Sequence, residues 1–149
     1  MKIWHRRILG VLAAGGGYVG LSLGTEQLFA LEWVGKILVI PFMALYAWGI
    51  WCGIKMIEGT SSSLRTNRLF WACQIPVFSS PLISYMFASG ALLNMAFHPA
   101  DLRFSFDMRL GSQFGYSLMQ DQSWAVGINF FALCMYWYLT WCLRREPFA

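Results

Sequence analysis

The chain has 149 residues and a mass of 17.0 kDa, enough for one modest domain, yet only 12% of its residues are charged while 58% are hydrophobic. Soluble domains carry about 25% charged residues because their surfaces must be hydrated, so this composition, with a mean hydropathy of +0.52, excludes an ordinary water-soluble globule. The net charge of +4 is scattered over the chain ends, one loop and isolated positions, with none of the continuous basic stripe that nucleic acid requires.

The first apolar run starts at Ile8, after Lys2, His5, Arg6 and Arg7. A basic head before an apolar body is the pattern of a secretory signal, but no small-residue cleavage site follows, so a retained anchor helix over about 8–30 is expected. Within it Gly16, Gly20 and Gly24 recur every four residues, a smooth ridge that lets another helix approach closely. The second span runs over 33–57, and a polar connection over 58–68 carries Arg65 and Arg68. The third run, 69–97, lacks any charged side chain and is expected to be a third transmembrane helix. Its Gln74, Pro76, Ser79, Ser80 and Pro81 predict a kink, because each proline deletes a helical hydrogen bond, with a polar groove beside it. Residues 98–122 form the longest polar loop, and 123–143 a fourth span closed by Arg144 and Arg145.

Charge placement orients these segments. Lys2, Arg6, Arg7, Lys55, Arg65, Arg68, Arg144 and Arg145 fall on one side, against Lys36, Arg103 and Arg109 on the other, where Glu26, Glu32, Asp101, Asp107 and Asp121 also lie. Basic residues mark the cytoplasmic face, so both termini are expected there, in a cell inner membrane.

The exported loop has a pattern of its own. From Leu102 to Leu110 apolar and polar residues alternate strictly, as in a half-buried strand, and Phe114, Tyr116 and Leu118 alternate likewise beyond Gly111-Ser112. A β-hairpin follows, whose three-residue loop 111–113 would set Leu110 opposite Phe114, Met108 opposite Tyr116 and Phe106 opposite Leu118, gathering one apolar face. The fold class expected is therefore an all-α membrane protein of one domain, four transmembrane helices with a β-hairpin between the third and fourth.

Catalysis finds little footing. The two histidines, His5 and His98, fall on opposite sides of the membrane, which excludes a bis-histidine haem or histidine-rich zinc site within one chain. Serine hydrolase chemistry would need His98 with Asp101 or Asp107 and Ser105 or Ser112, and none of these stands in a nucleophile elbow. The expected topology resembles that of four-helix thiol–quinone oxidoreductases, but their exported cysteine pairs have no counterpart, since Cys52, Cys73, Cys134 and Cys142 all lie in apolar runs. No cofactor and no metal is expected. What remains is a non-enzymatic protein that binds other proteins, as an accessory, assembly or regulatory subunit of a membrane complex or as an immunity or exclusion protein. Its contact surfaces would be the glycine ridge and the hairpin face of Phe104, Phe106, Met108, Leu110, Phe114 and Tyr116, and its partners lipid with another membrane protein or further copies of itself. The alternative is a small oligomeric transporter or channel subunit with its pathway along Gln74–Ser84.

Overall fold

The structure is a computed structural model that describes residues 3–60, 62–119 and 122–145; Lys2 and Asp121, used in the charge balance, lie outside them. Two long helices come first, α1 (Ile3–Ala30) and α2 (Trp33–Glu58), followed by a short helix α3 (Ser63–Ala72). Five strands follow, β1 (Pro76–Ser79), β2 (Ile83–Ala88), β3 (Ala91–His98), β4 (Arg103–Leu110) and β5 (Gln113–Leu118). The described chain ends in β6 (Ala125–Asn129), which runs straight into α4 (Phe130–Arg145).

The all-α, four-span expectation is overturned. All six strands form one antiparallel sheet in the order β4-β3-β6-β1-β2-β5, and among the described residues only α1 and α2 are long and apolar enough to cross a membrane. The run 69–97 fails as a helix at its prolines. Pro76 takes the first position of β1, where its missing N–H costs least, and Pro81 sits in the tight turn joining β1 to β2. Ser80 closes that turn, its N–H and hydroxyl both donating to Ile83 O while its Oγ accepts the Ile83 N–H. An uncharged run looks alike whether it is a helix in lipid or strands in a sheet, and hydropathy alone does not separate the two. The fourth segment fails for a related reason: β6 takes its first third, leaving α4 with 16 residues, short of the ~20 a spanning helix needs.

The expected strands of the exported loop exist, but they do not pair with each other. β4 pairs with β3, setting Leu110 opposite Ala91, Met108 opposite Leu93 and Phe106 opposite Met95; β5 pairs with β2, setting Phe114 opposite Phe87, Tyr116 opposite Tyr85 and Leu118 opposite Ile83. Both pairings belong to one long ribbon. Ala88 faces Gln113 and Ala91 faces Leu110, three positions on along each strand, so the register passes unchanged through the break at 89–90 and 111–112. There the ribbon folds. Gly90 and Gly111 stand opposite each other at φ +89° and +106°, which only glycine adopts without strain, and the Gly111 N–H donates to Gly90 O at 2.9 Å. β1 and β6 then bridge the two halves of the folded ribbon, β1 joining β2 and β6 joining β3.

The fold in the ribbon sits against the middle of α1. Ser112 Oγ donates to Gly16 O, and Tyr46 Oη on α2 donates to Ala88 O at 3.1 Å. From that level β5 runs toward the α1–α2 turn, where Tyr116 Oη reaches Gly35 O. Six strand residues cover roughly 20 Å, about the rise of the fourteen helical residues between the middle and end of α1. The opposite half of the helical pair carries α3 and α4: Phe70 packs on Gly49, Asn67 Nδ2 donates to Cys52 O at 2.9 Å, and His5 Nδ1 lies 2.8 Å from Tyr138 Oη. Gln74 couples the two levels, accepting the Ser89 N–H at 2.7 Å and donating to Phe70 O. Phe42, Tyr46, Phe70, Trp71 and Phe87 form the buried core where helices and sheet meet.

Asn129 joins strand to helix. Its Oδ1 accepts the N–H groups of Phe131 and Ala132, the N-cap arrangement of α4, and also the N–H of Leu93 on β3. The side chain is fully buried, so Asn129→Ala leaves three donors unpaired and should cost about 2 kcal/mol. A drop of roughly 4–8 °C in the unfolding midpoint in mild detergent is expected; an unchanged midpoint would contradict this role.

Candidate interaction surface

Strand pairing sorts the sheet's side chains onto two faces. On one lie Phe78, Tyr85, Phe87, Leu93, Met95, Phe97, Phe104, Phe106, Met108, Leu110, Phe114, Tyr116, Val126 and Ile128, without a single charge. Part of this face is covered, with Tyr85, Phe87, Phe114 and Tyr116 packed around Phe42 of α2 at ring-centroid distances of 5.1–6.3 Å. The part on β3, β4 and β6 is open: Phe104 is 70%, Phe106 67%, Met108 66% and Leu110 83% exposed.

The other face carries the polar residues, and the sheet curls around it. A cavity of about 380 Å³ there is lined by all six strands, with Ser79, Ser84, Asn94, His98, Ser105 and Asp107 among its walls. Ser117 Oγ donates to Ser84 Oγ at 2.7 Å, Ser79 Oγ donates to Gln122 Oε1 at 2.9 Å, and His98 Nε2 lies 2.9 Å from Ser105 Oγ. The two carboxylates near that last pair are engaged elsewhere, Asp107 by Arg109 at 2.8 Å and Asp101 by Arg103 at 3.4 Å. His98 and Ser105 thus make a polar cross-strand contact, and among the described residues no carboxylate orients the imidazole as serine chemistry uses.

A sheet in a soluble sandwich turns its apolar face inward. This one does the reverse, the sidedness of a membrane barrel wall. α1 and α2 follow suit, with Ile8, Val11, Tyr18, Phe29, Trp33, Val34 and Ile37 all more than half exposed. Apolar surface this extensive on a monomer marks contact with lipid or protein.

The residues singled out in the sequence separate into three groups. Gly16, Gly20 and Gly24 are buried within the chain: a methyl at Gly20 would run into the Tyr46 ring, one at Gly16 into Ser89 and Gly90, and one at Gly24 into Met43. Phe104, Phe106, Met108 and Leu110 are free on the outer face of β4, whereas Phe114 and Tyr116 share that face but lie against α2. Gln74, Pro76, Ser79, Ser80 and Pro81 do not form one groove: Gln74 and Ser80 spend their polar groups inside the fold, the prolines start a strand and make a turn, and only Ser79 reaches the polar cavity. Sequence reading missed that cavity, because Ser84 and Asn94 lay in a run taken for helix. Alternation of Ser84 with Tyr85 and of Asn94 with Met95 was the available signal.

No protein-family model, no curated protein and no solved structure matches this chain. Cysteines placed singly at Ser79 and Ser84 in cysteine-free protein should react with a membrane-impermeant maleimide from one side only of a sealed vesicle. Cysteine at Ile128, on the apolar face, should resist it. Equal labelling at all three positions would remove the distinction between the faces.

Proposed function

We propose that the chain is an integral protein of the cell inner membrane that works by binding another protein, not by catalysis, with its sheet in the exported half of the bilayer and the basic end that carries α3 and α4 facing the cytoplasm. The observation that carries this reading is the open outer face of β4, where four large apolar side chains stand 66–83% exposed beside a strand edge with no neighbour among the described residues. Lipid can cover the side chains but offers nothing to the edge's N–H and C=O groups. A protein strand supplies both.

The placement has support from both ends of the helical pair. Arg6, Arg7, Lys55, Arg65, Arg68, Arg144 and Arg145 gather at the end occupied by α3 and α4, as cytoplasmic residues should. At that end Lys55 stacks on Trp51 and Arg145 on Trp141, each 3.8 Å from the ring centroid, the pairing of interfacial anchors. The continuous segments α3–β1 and β6–α4 each lead between this end and the sheet. Accessory, assembly or exclusion roles all suit a small chain that presents one binding face. Transport finds less support, since Gln74 and Ser80, on the expected pathway, are committed to backbone hydrogen bonds.

Purification from native membranes in mild detergent should yield a complex, with a different polypeptide or with further copies. Phe106→Asp should reduce that association at least tenfold and leave the unfolding midpoint nearly unchanged, because the side chain is 67% exposed. A chain recovered alone, or one whose complex survives Phe106→Asp, would overturn the reading.

A further inference from the structure

We propose that the occupant of the β4 edge is a second copy of this chain, paired strand to strand about a two-fold axis through Ser105. The inference rests on the binding reading above and names its partner.

Hydrogen-bond parity comes first. In an antiparallel pair successive residues turn their backbone groups alternately toward and away from the neighbour. Gly111 donates to Gly90, and the register is continuous into β4, so residues 103, 105, 107 and 109 turn their backbone groups to β3. Residues 104, 106, 108 and 110 therefore offer theirs outward, and a second copy must bond through those positions. A two-fold axis at Ser105 satisfies this, placing Phe104 opposite Phe106 of the other copy as a bonded pair and Ser105 opposite its own counterpart as a non-bonded pair.

Charge then selects among the axes that parity allows. The sequence Asp101-Leu-Arg103-Phe-Ser105-Phe-Asp107-Met-Arg109 is antisymmetric in charge about its central serine. Pairing two copies there sets Arg103 against Asp107 twice, while Phe104 meets Phe106 on the apolar face; Asp101 and Leu102 lie in the turn before β4, Leu102 at φ +50°. Other axes lose this. Centred on Phe106, Arg103 faces Arg109; centred on Asp107, two carboxylates face each other; centred on Phe104, only residues 103–105 overlap and Arg103 faces Ser105. Like charges directly opposite are destabilising and opposite charges favourable. An axis at Met108 keeps one charge pair but runs the partner into the fold at Gly111. The in-chain pairs Arg103–Asp101 and Arg109–Asp107 are 39–67% exposed, so their side chains can turn to new partners at little cost.

Accessibility agrees with this choice of edge. Seven of the eight β4 residues are exposed, against one of six in β5, the sheet's other edge strand. Pairing through β4 would join two polar cups along one rim and make their apolar faces continuous.

In cysteine-free full-length protein in native membranes, Ser105→Cys should form an intermolecular disulfide on mild oxidation, because a non-bonded antiparallel pair brings Cα atoms to about 4.5 Å, within disulfide reach. Cysteines at Phe104 or Phe106 should crosslink at least tenfold less. With the native cysteines present, Arg103→Asp and Asp107→Arg should each reduce dimer at least tenfold by native mass spectrometry, and the double variant, which restores opposite charges, should recover it. That rescue separates lost pairing from lost folding. Crosslinking strongest at Phe106 or Met108, or a double variant no better than either single one, overturns the proposed register. A monomer that holds a different polypeptide through Phe106 overturns the second copy and leaves the binding reading standing; a monomer holding no protein removes both.

Discussion

Backbone N–H and C=O groups need partners wherever water is absent, and a strand, unlike a helix, finds them only in a neighbouring strand. A sheet whose outer face is apolar and whose inner face is polar meets this requirement only by curling and by giving each edge a neighbour. The ribbon 83–118 does the first through its fold at Gly90 and Gly111, which lets strands from both halves line a single polar cavity. Around that fold the rest of the molecule is arranged. The small-residue ridge of α1 lets it seat near the middle of the helix, Tyr46 and Gln74 bond to it from α2 and the end of α3, and Phe42 carries the aromatic layer above it. Among the described residues two edges stay without a strand, β4 and β5, and of these β4 is the exposed one.

The first sixty residues were legible because α1 and α2 are long, apolar and flanked by charge, a pattern that a hydropathy window reads directly. The strands within 69–97 were not. A run such as Ile83-Ser-Tyr-Met-Phe-Ala88 satisfies a hydropathy window as well as a helix does, and its alternation is blurred because Met86 and Ala88 are apolar on the polar side. Pro76 and Pro81 were noticed and read as kinks, although two prolines five residues apart suit a strand start and a turn better than one helix. Strands β4 and β5 were found from their period, yet their partners were misjudged, since local pairing across a short turn was weighed against nothing else. The sequence carries no local mark of a ribbon that continues past its own fold; Gly90 facing Gly111 is visible only once both strands are in register.

For the interaction surface the balance is similar. Phe104, Phe106, Met108 and Leu110 could be read directly as an apolar face needing cover, and they do lie open. Phe114 and Tyr116 belong to the same face but are consumed by α2, a distinction that tertiary packing alone decides. The glycine ridge likewise serves internal packing, because Tyr46 and the ribbon fold occupy the space that a partner helix would need. Arg103 and Arg109 entered the sequence reading only as counts on one side of the membrane, and Asp101 and Asp107 as counts and as carboxylates for serine chemistry with His98. Their order along the strand gains meaning once β4 is known to be an edge.

The account depends on hydrocarbon lying against the outer face of the sheet and water lying within its curl. Spin labels placed singly at Phe104, Met108, Arg103 and Arg109 in bilayer-reconstituted protein test this most directly, through collision rates with oxygen, which partitions into lipid, and with a water-soluble nickel chelate. The account predicts oxygen dominance at 104 and 108 and nickel dominance at 103 and 109. Nickel dominance at all four positions would show that water bathes both faces, and the sheet would then stand outside the membrane.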